Sequence, residues 1–267
     1  MSKGILTGKK GIIFGALDSN SIAWKVAEQC HAEGASFVLT NAPVALRMGV
    51  IDELAKKTNS KVIGADVTSQ EDLDKLVDEA LKEFGKLDFI LHSVGMSLNV
   101  RKGKAYTDLK HDWMHKTFDI SAISFHRLMQ TCWKKDALAV NASVLALTYI
   151  AAQRVFPDYN EMAESKALLE SFVRSFGYHY GKKSKVRINS VSQSPTPTTA
   201  GSGVKGFDKF LNYAEKISPL GNADAESCAK YCVSLFSDYT KMVTMQNLFH
   251  DGGFSFTGVS NEVIENM

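Results

Sequence analysis

Short apolar runs of strand character alternate with amphipathic helical stretches seven times along this chain, and few architectures accept that order. Lys10 to Phe14 is the first strand, followed by Gly34 to Thr40, Lys61 to Ala65, Asp88 to His92, Ser143 to Thr148, Lys185 to Val191 and Thr244 to Phe249. Gln70 to Phe84 is the most regular helix, with Leu73, Leu76, Val77, Leu81 and Phe84 on one face. Others run from about Ser21 to Glu33 and Trp113 to Trp133. Helical crossovers make neighbouring strands parallel and cover both faces of the sheet. The expected fold is therefore α/β, a Rossmann-type doubly wound, mostly parallel seven-stranded sheet, in one domain over residues 1–267. Ser192 to Gly203, rich in Ser, Pro, Thr and Gly, resembles a linker in composition, but a strand still follows it and needs a sheet to join. It is better placed as a loop over the active site that continues into a helix from Phe207 to Ile217, a substrate cover spanning about residues 194–218.

In such a sheet the ligand sits at the carboxyl edge, so the residues after each strand carry the interest. After the first strand, Gly15 opens a turn and Ser21 can cap the next helix, where backbone N–H groups favour a phosphate. The usual G-x-G-x-x-G is absent, since no second or third glycine follows Gly15. The second strand leads into Thr40-Asn41-Ala42-Pro43, with neither an acid for a ribose 2′-hydroxyl nor an adjacent arginine for a 2′-phosphate, and Arg47 is the nearest cation. Asp66 ends the third strand, where it either accepts from an adenine amino group, or starts a turn or caps the helix that follows Thr68. Ser93-Val94-Gly95 ends the fourth, where small residues would let a nicotinamide ribose approach the backbone or Gly95 is simply a turn glycine.

The stretch from Thr148 to Glu170 concentrates groups that can do chemistry. Tyr149 follows the fifth strand, and Pro157 suits the first turn of a helix expected to carry Tyr159 and Lys166 on one face, close to two turns apart. A phenol and an ammonium would then line one pocket, with Tyr149 entering from the strand end. The competing interpretation makes the tyrosines core residues and Lys166 a solvated one.

Composition removes several other function classes. The formal charge of +2 argues against nucleic acid as a main partner. No run of eighteen apolar residues and no signal-like N-terminal segment occurs, so a cytoplasmic protein without membrane spans is expected. Cys30, Cys132, Cys228 and Cys232 lack a C-x-x-C spacing and are expected to be buried and reduced. His111 and His115 stand one helical turn apart, but no third ligand is obvious; they are expected at the surface, without metal. Phe125, Trp133, Leu168 and Phe172 are candidate contacts between copies of the chain.

Taken together, these residues resemble the short-chain dehydrogenase/reductase superfamily and, within it, the bacterial enoyl-[acyl-carrier-protein] reductases. The likeness runs from Gly8-Lys9-Lys10 to Asp251-Gly252-Gly253-Phe254-Ser255. Its most specific part is Tyr149, then Tyr159 ten residues on, then Lys166 after six intervening residues. Ordinary ketone-reducing members carry a tyrosine four residues before the lysine, a position held here by Met162. The resemblance implies reduction of the trans-2 double bond of an enoyl thioester on acyl carrier protein, with NADH, or alternatively NADPH, as hydride donor. It implies catalytic roles for Tyr159, Lys166 and Tyr149, cofactor contacts at Gly15, Ser21, Ile22, Asp66, Val67, Ser93, Val94, Gly95, Lys166, Pro195, Thr196, Thr198 and Ala200, and Ser97 near the substrate carbonyl with Tyr149 and Tyr159. It also implies a homo-oligomer, commonly a tetramer. Ser194 before Pro195, Pro197 within the loop and Ala42 beyond the second strand depart from the family pattern. A 3-oxoacyl reductase and a non-catalytic dinucleotide-binding regulator are the alternatives.

Overall fold

A computed structural model describes residues 4–47, 49–199, 201 and 206–265. Strands β1 (Lys10–Phe14), β2 (Ser36–Asn41), β3 (Lys61–Gly64), β4 (Leu87–His92), β5 (Leu138–Thr148), β6 (Arg187–Gln193) and β7 (Asn247–His250) form one sheet. Their order is β3-β2-β1-β4-β5-β6-β7, with every adjacent pair parallel. The chain walks from β1 outward to β3, then crosses to β4 on the other side of β1. That reversal leaves a crevice between the carboxyl ends of β1 and β4, the usual ligand position in an open α/β sheet.

The first half of the chain supplies α1 (Ile22–Ala32), α2 (Pro43–Leu46), α3 (Ile51–Thr58), α4 (Gln70–Phe84) and α5 (Leu98–Arg101). α6 (His111–Phe118), α7 (Ser124–Lys134), α8 (Met162–Ser184), α9 (Phe207–Ile217), α10 (Ala225–Phe236) and α11 (Asn261–Glu265) come after them. Alternation along the strands sorts the core into two layers. Ile12, Phe14, Ile90, Val144 and Ile188 face α4, α7 and α8, whereas Ile13, Phe37, Phe89, Leu91 and Leu145 face α1, α3 and α10. A third, smaller cluster of Ile150, Ala214, Ile217 and Phe254 caps the carboxyl edge.

Three expectations need correction. The helix expected from Trp113 to Trp133 is interrupted: a π-helical turn over Asp119–Ile123 separates α6 from α7, with Asp119 held by Arg127 at 2.6 Å. Such bulges insert a residue and re-aim a side chain, and here Ser121 turns toward the loop after β4, accepting from Met96 N at 3.0 Å. β5 begins at Leu138, not Ser143, because a register shift near Leu87 and the positive φ of Asn141, 64°, let the strand bend and continue. Phe125 is a core residue at 0% exposure, packed against His92 and Phe176, so it touches no other copy.

The four cysteines are buried and free. Burial alone raises Cys132 to about 12, so this thiol stays protonated. No described helix is long and apolar enough to cross a membrane.

Candidate active site

A parallel sheet ends all its strands on one edge, so turns distant in sequence meet there. Gly15 follows β1 with a φ of 90°, and a β-carbon built on it would lie 1.9 Å from Ser93 O, the carbonyl just beyond β4. Its N–H donates to Thr40 O at 3.0 Å. Only glycine fits where the ends of three strands converge. Ser21 does not cap α1 with its side chain. Instead its hydroxyl donates to Asp18 O at 2.7 Å and accepts from Leu17 N at 3.3 Å, fixing the turn after Gly15. Ile22 packs half-buried on the core layer beneath.

Asp66 is exposed after β3, and its Oδ1 accepts from Thr68 N at 2.9 Å and Thr68 Oγ1 at 2.7 Å, a turn-forming role. Ser69, not Asp66, caps α4 by accepting from Asp72 N. Val67 packs against the core beside it. At the end of β2, Asn41 Nδ2 donates to Ala16 O at 3.2 Å, tying β2 to the β1 turn.

After β6, Pro195 and Thr196 are buried, and Thr196 Oγ1 donates to Ser194 O at 2.9 Å. Thr198 accepts from Gly201 N at 2.9 Å, and Thr199 Oγ1 donates to Asp18 Oδ2 at 2.5 Å, so this loop reaches across to the turn after β1. The loop is seated by Gln193, which donates to Thr196, and by Asn222, which donates to Pro195 O at 2.6 Å. Ala200 lies outside the described residues, as does part of the expected cover between residues 202 and 205.

Tyr149 and Tyr159 meet ring to ring, centroids 5.2 Å apart and planes at 62°. The expectation that Tyr159 and Lys166 share a helix is wrong. Tyr159 closes a short 3-10 turn over Pro157–Tyr159, while α8 starts only at Met162. Between them Asn160 holds φ 46° and ψ −141°, a conformation in which side chains cost about 1–3 kcal/mol. The break frees the phenol from the helical direction and turns it toward Tyr149.

Lys166 is buried on α8, and its Nζ donates to Leu147 O at 2.8 Å, just before the end of β5. A β-carbon at Gly95 would sit 3.7 Å from that ammonium and 3.4 Å from Met162 Cε, so the loop after β4 passes directly over it. Val94 is half-buried against the core, and Ser97 Oγ donates at 2.7 Å to the buried Glu161. The structure thus holds the Ser97 hydroxyl within a side-chain cluster.

Burial lowers Lys166 to about 8, opposed by the nearby Glu170 carboxylate. It pushes both phenols up, Tyr159 by desolvation and Tyr149 by desolvation with Tyr159 and Asp251 adding to it. Both hydroxyls therefore remain protonated near neutral pH and can donate. The Tyr149 hydroxyl is buried with no partner. Phe156 and Phe210 pack on Tyr149 at 5.2 and 6.5 Å, and beyond them opens a pocket of about 330 Å³ lined by Tyr213, Ile217 and Phe254. The site can offer a hydrogen bond and a positive charge to an anionic oxygen in a largely apolar wall.

Two buried acids belong to the site without standing out in the sequence. Glu170 accepts from Thr148 at 2.8 Å, Asn247 at 3.1 Å and Gln153 at 3.3 Å, fastening α8 to the strand end that bears Tyr149; burial raises its carboxyl. Glu161 accepts from Ser97, Asn99 and Thr117. The available signal was slight: Glu170 follows Leu169 at the edge of the buried stripe of α8, where a charge is out of place, whereas Glu161 precedes the helix at its N-cap and carries no such phase. Among the described residues no cluster of three or more His, Cys, Asp or Glu could hold a metal.

Residues 15–255 match the family model described as Enoyl-(Acyl carrier protein) reductase. The chain is 33% identical over 261 residues to enoyl-[acyl-carrier-protein] reductase [NADH] 2 of Rhizobium meliloti strain 1021, covering 96% of this chain and 95% of the relative. It is 30% identical to the corresponding NADH enzyme, FabI, of Escherichia coli K12, covering 96% of this chain and 98% of that one. Among solved structures it resembles the FabI–NADH complex of Alistipes finegoldii, with 59% identity, a TM-score of 0.97 and coverage of 98% of this chain and 93% of that one.

Proposed function

The chain belongs to the enoyl-(acyl carrier protein) reductase family, and from that premise we propose that its carboxyl-edge crevice binds NADH and reduces the trans-2 double bond of enoyl thioesters carried on acyl carrier protein, a step of fatty-acid elongation. The observation that carries this reading is the paired phenols of Tyr149 and Tyr159 at the same sheet edge as the buried Lys166 ammonium. NADH, when bound, supplies the hydride that adds to the β-carbon.

The residues present fit that cofactor. Gly15 lets the backbone after β1 press against β4, and Gly95 leaves space over the Lys166 ammonium that any side chain would enter. Gly15, Ser21 and Ile22 would hold the pyrophosphate end at the N-terminus of α1. Asp66 and Val67 would flank the adenine, and Ser93, Val94, Gly95, Pro195, Thr196, Thr198 and Ala200 the nicotinamide half. Lys166 would hold the ribose and lend a positive field. Tyr159 would donate to the thioester oxygen as negative charge develops there, and a donor aimed at such a charge in an apolar site stabilises it strongly. Tyr149 would close the pocket, with Ser97 at its margin. The domain is one unit, with residues 194–218 as the cover. Self-association into a homotetramer is supported by the outer faces of α7 and α8, where Trp133 is 38% exposed. A cytoplasmic location accords with the four free cysteines.

The test is turnover. Purified protein should oxidise NADH with an enoyl thioester and leave a 3-oxoacyl thioester untouched; the reverse would make it a carbonyl reductase, against which Met162 stands four residues before Lys166. Binding of NADH without turnover of either would make it a regulator. Parallel assays with NADPH fix the coenzyme.

Lys166 also gives the site a pH dependence. The value near 8 means that the ammonium is lost as pH rises through that region. NADH affinity, followed by nicotinamide fluorescence, is expected to weaken several-fold between about pH 7 and 9 in the wild type. Lys166→Met should bind weakly and equally at both. The unliganded protein should respond in the opposite sense. The unfolded chain keeps the proton up to the usual 10.5, so this residue's contribution to stability rises with pH from about 8 to 10.5. A flat binding profile in the wild type would remove Lys166 from the cofactor site.

A further inference from the structure

Tyr159 stands outside α8, so the helix does not fix where its hydroxyl points. The residues directly after it take over that role. Asn160 is buried in its unusual conformation and donates through Nδ2 to Lys104 O at 2.8 Å. Glu161, fully buried, accepts on a single oxygen from Ser97 Oγ at 2.7 Å, Thr117 Oγ1 at 2.9 Å and Asn99 Nδ2 at 3.1 Å. Glu164 Oε1 accepts from Tyr106 at 2.6 Å. The segment from Ser97 to Tyr106 is thereby fastened to the residues just after Tyr159, with Glu161 as the central post.

A buried carboxylate is a costly way to fill space, because an apolar side chain of the same size needs no desolvation. Glu161 Oε2 has no hydrogen-bond partner, so even its own bonding is incomplete. Strained backbone persists only where the surroundings over-determine it, and three donors from α5, its cap and α6 converging beside Asn160 do that. We propose that Glu161 is a positioning residue for Tyr159: its carboxylate locks the Asn160 turn and so sets the phenol at the substrate oxygen. The inference rests on Tyr159 being the donor in the proposed reaction.

The test compares Glu161→Leu, which fills the same volume, with Glu161→Gln, which retains an acceptor oxygen, each with and without Tyr159→Phe. Glu161→Leu is expected to lower kcat about tenfold, with KM for NADH within about twofold, as suits a sub-ångström displacement of a reacting group. Glu161→Gln should restore kcat to within about threefold of wild type. In the Tyr159→Phe background Glu161→Leu should cost nothing further, since no hydroxyl remains to be placed. Thr117→Val, which removes one donor at constant shape, repeats the comparison if Glu161→Leu fails to fold. Unchanged kcat for the folded variant, or an equal loss in both backgrounds, overturns the proposal. Tyr159→Phe matching the wild type would instead remove the donor role beneath it, and the proposal with it.

Discussion

Tyr159→Phe should reduce an enoyl thioester on the order of 10²-fold more slowly than the wild type, with NADH bound as before, because loss of one preorganised donor at a developing oxyanion has about that effect. The substitution is a narrow one. The ring is half-buried and packs on Tyr149 at 5.2 Å, and phenylalanine keeps that contact while deleting only the hydroxyl. Desolvation holds the Tyr159 phenol protonated across neutral pH, so it is the hydrogen bond that disappears and not a charge. Tyr149 is a poor substitute, since its own hydroxyl is buried with no hydrogen-bond partner. Steady-state kcat on an enoyl thioester, with fluorescence titration of NADH as the control, gives the comparison; equal rates would take Tyr159 out of the mechanism.

Gly15→Ala is expected to damage both fold and cofactor binding. A β-carbon there would stand 1.9 Å from Ser93 O, a backbone atom that no rotamer change can move, and the φ of 90° is unfavourable for any L-residue. The overlap and the strained backbone together should cost about 2–4 kcal/mol of stability. The relief available is to push the β1 turn away from β4, which widens the crevice where the cofactor would lie. NADH affinity should therefore fall by at least about tenfold even at temperatures where the variant stays folded. Chemical denaturation and NADH titration read the two effects separately. Wild-type values in both would mean that the crevice between β1 and β4 is not the dinucleotide site.

Alternation of apolar runs and amphipathic helices sufficed to identify the sheet, because every parallel strand needs a covered face and every cover needs a helix. Strand and helix cores such as Lys10–Phe14 and Gln70–Phe84 coincide with their sequence-based limits. Boundaries that depended on single backbone torsions did not. Asn141 bends β5 and Asn160 cuts Tyr159 from α8, and an asparagine in sequence does not announce whether it will take a positive φ.

The candidate site divides along the same line. Tyr149, Tyr159 and Lys166 stood out in sequence because their order and spacing resemble the family's, while the spacing alone left core tyrosines and a solvated lysine equally open. The acids that hold their elements, Glu161 and Glu170, did not, because their partners lie as far as 77 residues away. The order of residues by itself determined a parallel α/β sheet, a consequence of local periodicity, and supplied the candidate side chains through their resemblance to a family pattern. Only the tertiary structure decided where the phenol points, how far the lysine is desolvated and which carboxylates anchor the turn, since burial and long-range hydrogen bonds arise from contacts that exist only once the chain has folded.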